Sequence, residues 1–187
     1  MTWDLQLFAA MNGLAGHSAV LDDVMLMLGR PSSLWVPGLL AGTYWVWMNR
    51  REAFIALPTL LSLIIVADAF GARLKDLVAR PRPCHVLQVT HDLYGCGKTY
   101  SFPSNHAVNT AAAAAFLHVL YPRSGWVTWP TVALIGLSRV YTGGHYVTDV
   151  LGGWVIGIGL GLGAAWLYRR WVTGVGTDSR GSVGSRY

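Results

Sequence analysis

Long apolar runs separated by short polar connectors dominate the chain from residue 34 onward. Runs at 34–48, 53–72, 106–121, 126–141 and 147–168 approach the roughly 20 mostly apolar residues that a membrane-spanning helix needs, with flanking side chains free to snorkel. The third run carries Ala111 to Ala115, and the fifth carries Gly152, Gly153, Gly157, Gly159, Gly161 and Gly163. Small residues at that density let membrane helices approach closely. Before residue 34 the pattern weakens. Trp3, Leu5, Leu7, Phe8 and Met11 alternate with polar residues at roughly helical spacing, and Asp22-Asp23 interrupts 18–29. Both segments read as short helices at the membrane interface, with a sixth span over 18–30 left open. Beyond Trp171, Gly, Ser, Thr and scattered charge predict a disordered tail over 172–187. The expected fold is an all-α polytopic membrane bundle, a single domain over 1–171 with five or six spans.

Composition supports this reading. Of 187 residues 53% are hydrophobic and only 12% charged, where a soluble domain carries about 25%. The formal charge of +5 forms no basic stripe, so a nucleic-acid partner is not expected. The start, Met1-Thr2-Trp3-Asp4, lacks the basic region of a signal peptide, so insertion through the chain's own spans is expected. With five spans, 49–52, 122–125 and 168–170 fall on one side, and 73–105 with 142–146 on the other. Lys and Arg are shared too evenly for the positive-inside rule to choose. The first set looks like anchors, whereas the second is interleaved with His, Ser and Asp, which places the second side outside the cytoplasm. Cys84 and Cys96 lie on that side, and their spacing is compatible with a disulfide or with two free thiols.

Three polar blocks occupy the second side: Lys75-x6-Arg82-Pro83, Pro103-Ser104-Asn105-His106, and Ser138-Arg139-x5-His145-x3-Asp149. They bring cations, two imidazoles and a carboxylate together, without an acidic cluster to hold a metal. That inventory suits gripping a phosphate and attacking its phosphorus. In Arg80-Pro81-Arg82-Pro83 the prolines forbid helix and hold an extended segment, from which Arg82 can grip two phosphate oxygens. Simple anchoring would explain Lys75, Arg80 and Arg82 equally well if they stood alone. Ser104 is a good N-cap, so the first amides of its helix would face an anion beside His106. His145 and Asp149, four apart, predict a pair on one helical face, the carboxylate orienting one ring nitrogen and leaving the other nucleophilic. A purely structural His–Asp pair is the alternative.

These blocks resemble the three signature motifs of the type 2 phosphatidic acid phosphatase superfamily, K-x6-RP, PSGH and SR-x5-H-x3-D. Every fixed position matches in order and spacing except Asn105, which stands where the family most often has Gly. The resemblance covers Lys75 to Asp149. It implies a metal-independent lipid phosphatase without a cofactor: His145 as nucleophile forming a phosphohistidine, Asp149 orienting it, and His106 protonating the leaving oxygen and later activating water. Lys75, Arg82, Ser104, Asn105 and Arg139 would hold the phosphoryl oxygens. The partners implied are a lipid phosphate and the bilayer, in a bacterial inner membrane, with oligomeric state unspecified. Undecaprenyl diphosphate leads as substrate. Phosphatidate, phosphatidylglycerophosphate and the 1-phosphate of lipid A are alternatives. An anion transporter would need no nucleophile, and a vanadate-dependent haloperoxidase, which resembles the same blocks, would not be expected to carry five spans.

Overall fold

The computed structural model describes residues 3–30, 32, 35–87 and 90–178, apart from the side chains of residues 35, 37 and 173–178. Among these residues the chain is helical, without strands. The helices are α1 Trp3–Asn12, α2 Ala19–Gly29, α3 Trp35–Met48, α4 Arg50–Val78, α5 Pro83–Val86, α6 Asn105–Leu120, α7 Gly125–Tyr141 and α8 Val147–Asp178, with a 3-10 turn at Pro122–Ser124. The apolar runs of the sequence correspond to α3, α4, α6, α7 and α8. α4 outruns its apolar core and carries Lys75 into its last turn. α8 continues to Asp178, past the boundary expected at 171, and 179–187 lie outside the described residues.

Small residues set the centre of the bundle. Gly153, Gly157 and Gly161 recur every four positions along α8 and face Ala107, Ala111 and Ala115 of α6. A Cβ on each glycine would come within 2.8, 2.9 and 2.8 Å of those methyls. The two helices therefore pack nearly backbone to backbone. Beside this seam, Leu63 and Ala67 of α4 close on Val108, Ala112 and Phe116 of α6 and on Tyr168 of α8. The outward faces stay apolar: Leu39, Phe54 and Val155 are 72%, 73% and 73% exposed. Two helical segments, Arg50–Val86 and Val147–Val172, are long and apolar enough to cross a membrane.

The connectors segregate to opposite ends. At one, Trp45 Nε1 donates to the Tyr121 hydroxyl at 3.0 Å and Arg169 bonds the Val119 carbonyl. At the other, α1 and α2 pack against α7 and α8. Asn12 Nδ2 donates to the carbonyls of His91 and Tyr141 at 2.8 Å each, and its Oδ1 accepts from the His91 amide at 2.9 Å. The two N-terminal helices are thus docked, with Phe8 2% exposed.

Candidate active site

The end of the bundle that α1 and α2 cover also collects the three polar blocks. α4 delivers Lys75 from its last turn, and Ala79, in the left-handed region at φ 50°, turns the chain out of the helix. The Lys75 ammonium donates to the carbonyls of Pro103, Tyr100 and Ser101 at 2.6, 3.1 and 3.4 Å. It therefore pins the turn leading into α6. Arg82 is extended, at φ −73° and ψ 153°. Its Nε donates to the Thr99 carbonyl at 2.7 Å and its Nη1 to the Gly144 carbonyl at 3.0 Å. That Nη1 also lies 3.4 Å from His145 Nε2. The first two bonds aim the guanidinium at the imidazole.

Ser104 is the residue before α6, as expected, but its hydroxyl makes no capping bond. Its Oγ is buried without a partner, and so are His106 Nε2, Arg139 Nε and His145 Nδ1. Buried polar atoms are normally paired, so this concentration within the three blocks marks groups arranged for something other than stability. Arg139 leaves α7 with its Nη1 on the Gly29 carbonyl at 3.1 Å and its guanidinium 5.0 Å from the Tyr94 ring centre. Gly144 sits between the two arginines: a Cβ there would lie 3.4 Å from Arg139 Nη2 and 3.6 Å from Arg82 Nη1.

His145 is in the turn between α7 and α8, not on α8, which begins at Val147. The expected helical spacing to Asp149 is therefore replaced by a turn, opened by Gly143 at φ 83°. His145 Nδ1 still lies 3.6 Å from Asp149 Oδ2, an ion-pair distance rather than a made hydrogen bond. Asp149 Oδ2 accepts the Tyr146 amide at 2.8 Å, and its main-chain carbonyl accepts the Ser104 amide at 3.1 Å, tying the start of α8 to the start of α6. Burial drives the His145 imidazole down to about 3. Asp149 opposes that shift, and Arg139, Arg82 and Lys75 add to it. The imidazole is neutral at physiological pH, with its Nε2 on the Arg82 side.

The structure thus draws Lys75, Arg82, Ser104, His106, Arg139, His145 and Asp149 to one end of the bundle. Asn105 is there too, but its amide nitrogen is committed to Asp68 Oδ1 at 3.0 Å, an atom that Asn109 also bonds at 3.0 Å. Asp68 therefore helps organise the α4–α6 contact. Two further residues escaped the sequence reading. Arg80 Nη1 donates to Asp149 Oδ1 at 2.7 Å, and its Nη2 to Asp4 Oδ2 at 2.8 Å. The repeated Arg-Pro dipeptide was the available signal for Arg80, whereas Asp4 offered none. Cys84, His85 and Cys96 place one donor atom each within 4.8 Å of one another, but the two sulfurs are joined in a disulfide. That bond resolves the alternatives left for the cysteines.

The chain is similar to known phosphatases. The lipid A 4'-phosphatase of Porphyromonas gingivalis is 29% identical over 164 residues, covering 83% of this chain and 68% of that protein. The undecaprenyl-diphosphatase of Bacillus subtilis is 30% identical over 162 residues, covering 83% and 79%. The crystal structure of Aquifex aeolicus LpxE superposes with a TM-score of 0.69 at 25% identity, over 88% of this chain and 95% of the other. The profile of the PAP2 superfamily matches residues 56–173. With that match over more than half its length, the chain belongs to the PAP2 superfamily and is a phosphate-ester hydrolase.

Proposed function

We propose that the protein is an integral-membrane lipid phosphatase that works through a phosphohistidine on His145, with undecaprenyl diphosphate as its substrate. The observation that carries this reading is the pairing of a neutral, buried imidazole with a guanidinium 3.4 Å from its free nitrogen. In the first step the Nε2 lone pair forms a bond to phosphorus while the bond to the leaving oxygen breaks, and His106 supplies that oxygen's proton. In the second, His106 takes a proton from water, whose oxygen displaces His145 and releases phosphate. Lys75, Arg82, Arg139, the Ser104 hydroxyl and the start of α6 around Asn105 balance the charge on the phosphoryl oxygens. These cations occupy the electrostatic role that a metal fills in other phosphatases, so the reading requires none.

The relative named undecaprenyl-diphosphatase supports the substrate. The relative named lipid A 4'-phosphatase favours a second reading, a lipid A phosphate. Five spans, α3, α4, α6, α7 and α8, form the membrane part of a unit running to residue 171, and α1 and α2 sit at the interface. The Cys84–Cys96 disulfide supports placing the site end on the oxidising, outer side of a bacterial inner membrane. The test is phosphate release from a panel of lipid phosphates by purified protein in detergent with EDTA, beside His145→Ala. The expected result is fastest turnover of undecaprenyl diphosphate, with a ³²P-labelled enzyme trapped in wild type and neither turnover nor label in the variant. Turnover by His145→Ala would refute the mechanism, and faster turnover of lipid A would replace the substrate.

A further inference from the structure

Asp149 is fully buried, and a buried carboxylate needs compensation. His145 does not supply it, because the imidazole is neutral and its Nδ1 stands 3.6 Å away. The compensating cation is Arg80, at 2.7 Å from Oδ1. Arg80 is itself held on three sides. Asp4 of α1 takes its Nη2 at 2.8 Å, Thr148 Oγ1 takes its Nη1 at 2.6 Å, and the Tyr146 ring lies 4.0 Å beneath its guanidinium carbon. Asp4 also accepts from the Thr148 amide at 3.0 Å and the Thr148 hydroxyl at 2.6 Å, which fastens α1 to the first turn of α8. Burial works to raise the Asp4 carboxyl, but Thr148 and Arg80 outweigh it and hold it below the usual range.

The sequence Arg80-Pro81-Arg82-Pro83 explains how two neighbouring arginines reach opposite ends of one pair. Arg82 has polyproline II angles, and Pro81 fixes its own φ there. Such a segment turns once every three residues, so side chains two apart point in different directions. Arg82 meets His145 at Nε2, and Arg80 meets Asp149 at Oδ1. With Oδ1 taken by Arg80 and Oδ2 on the Tyr146 amide, the carboxylate cannot rotate away from Nδ1.

Resting on the nucleophilic role of His145 proposed above, we infer that Arg80 is a positioning residue that fixes and charge-balances Asp149, and that Asp4 makes helix α1 part of the catalytic apparatus. Loss of the Arg80 cation releases the carboxylate and removes a positive charge from beside the pair. His145 should then take up a proton at higher pH. The other charged groups acting on His145 stay in place: Lys75 of α4, Arg82, and Arg139 of α7.

The test measures kcat, KM and the pH profile on undecaprenyl diphosphate and dioleoyl phosphatidate, using whichever wild type turns over faster. Full-length Arg80→Gln, Arg80→Lys, Asp4→Asn, the Arg80→Gln/Asp4→Asn double variant and His145→Ala are compared. Arg80→Gln should lose on the order of 10²-fold in kcat with KM within about threefold, comparable to removing the outer partner of a metal ligand. Its acid limb in kcat/KM should move up by about one pH unit. Arg80→Lys, able to hold one carboxylate but not both, should fall between. Asp4→Asn should lose about tenfold, and the double variant should be no worse than Arg80→Gln alone, because Asp4 acts through Arg80. An unmoved acid limb, additive losses in the double variant, or a lowered melting temperature with normal kcat per folded molecule would each overturn the inference. A fully active His145→Ala would bring down the nucleophile and this role together. An inactive His145→Ala beside a normal Arg80→Gln would bring down this role alone.

Discussion

Helix α3 and the first turn of α8 stand at opposite extremes of this molecule. Along α3, Leu39, Tyr44 and Trp47 are 72%, 62% and 74% exposed. The helix meets the rest of the chain mainly along α4 and through the hydrogen bond from Trp45 to Tyr121. In the turn before α8 and in its first turn, His145 and Asp149 are 2% and 0% exposed and answer to side chains from α1, α4, α7 and the segment 79–82. On α3 the requirement is apolar character, which many residues satisfy. Around α8 the requirement is the placement of individual atoms, which few substitutions preserve. An exposed apolar helix and a buried charged site thus impose different tolerances on neighbouring parts of one bundle.

That contrast breaks first at His106. If its unpaired Nε2 serves the leaving oxygen, His106→Ala should slow hydrolysis of a lipid phosphate by about 10²–10⁴-fold, and p-nitrophenyl phosphate, whose leaving group is a weak base, much less. Equal losses on both substrates, measured as kcat, would remove His106 from that role.

A smaller effect concerns stability. The His145 imidazole is pushed from 6.5 to about 3 in the folded chain, so below pH 6.5 the unfolded chain binds a proton that the folded one refuses. Stability therefore falls with decreasing pH between 6.5 and about 3, by up to about 1 kcal/mol per pH unit, and is unaffected by this group above that window. His145→Asn cannot titrate. Its melting temperature should decline less between pH 6.5 and 4.5 than that of wild type, as read by thermal unfolding in detergent. Parallel declines would mean that the imidazole is protonated in the fold.

The smallest change should come from α3. Leu40 is 66% exposed, and Leu40→Ala should shift stability by no more than about 0.5 kcal/mol and leave kcat unchanged. A tenfold loss of activity would show that α3 communicates with the site and would collapse the contrast.

The helices and the three blocks were legible in the sequence because each depends on local information. Apolar runs declare themselves by length, and Lys75, Arg82, His106, Arg139, His145 and Asp149 declare themselves by residue type at fixed spacing. What was not legible depends on three-dimensional neighbours. Arg80 looks like Arg82, and only the rotation of an extended proline segment separates their tasks. Asp4 lies in a weakly amphipathic helix, and nothing local links it to Thr148, 144 positions away. The His145–Asp149 spacing was read as a helical pair, yet Gly143 breaks the helix and a turn produces the same proximity. Asn105 sits in the second polar block, while the Asp68 carboxylate one helix away takes its amide.

The seam of Gly153, Gly157 and Gly161 against Ala107, Ala111 and Ala115 has a consequence for distance rather than cohesion. His106 opens α6 and Asp149 lies in the first turn of α8, so the register of that seam sets how far His106 is held from the carboxylate beside His145. A slip of one residue displaces α8 by about 1.5 Å, and an error of about 1 Å between reacting groups can cost 10²-fold in rate. Six residues without a functional group thus act as the gauge of the active site, and the calibration of its chemistry is written in methyl groups and their absence.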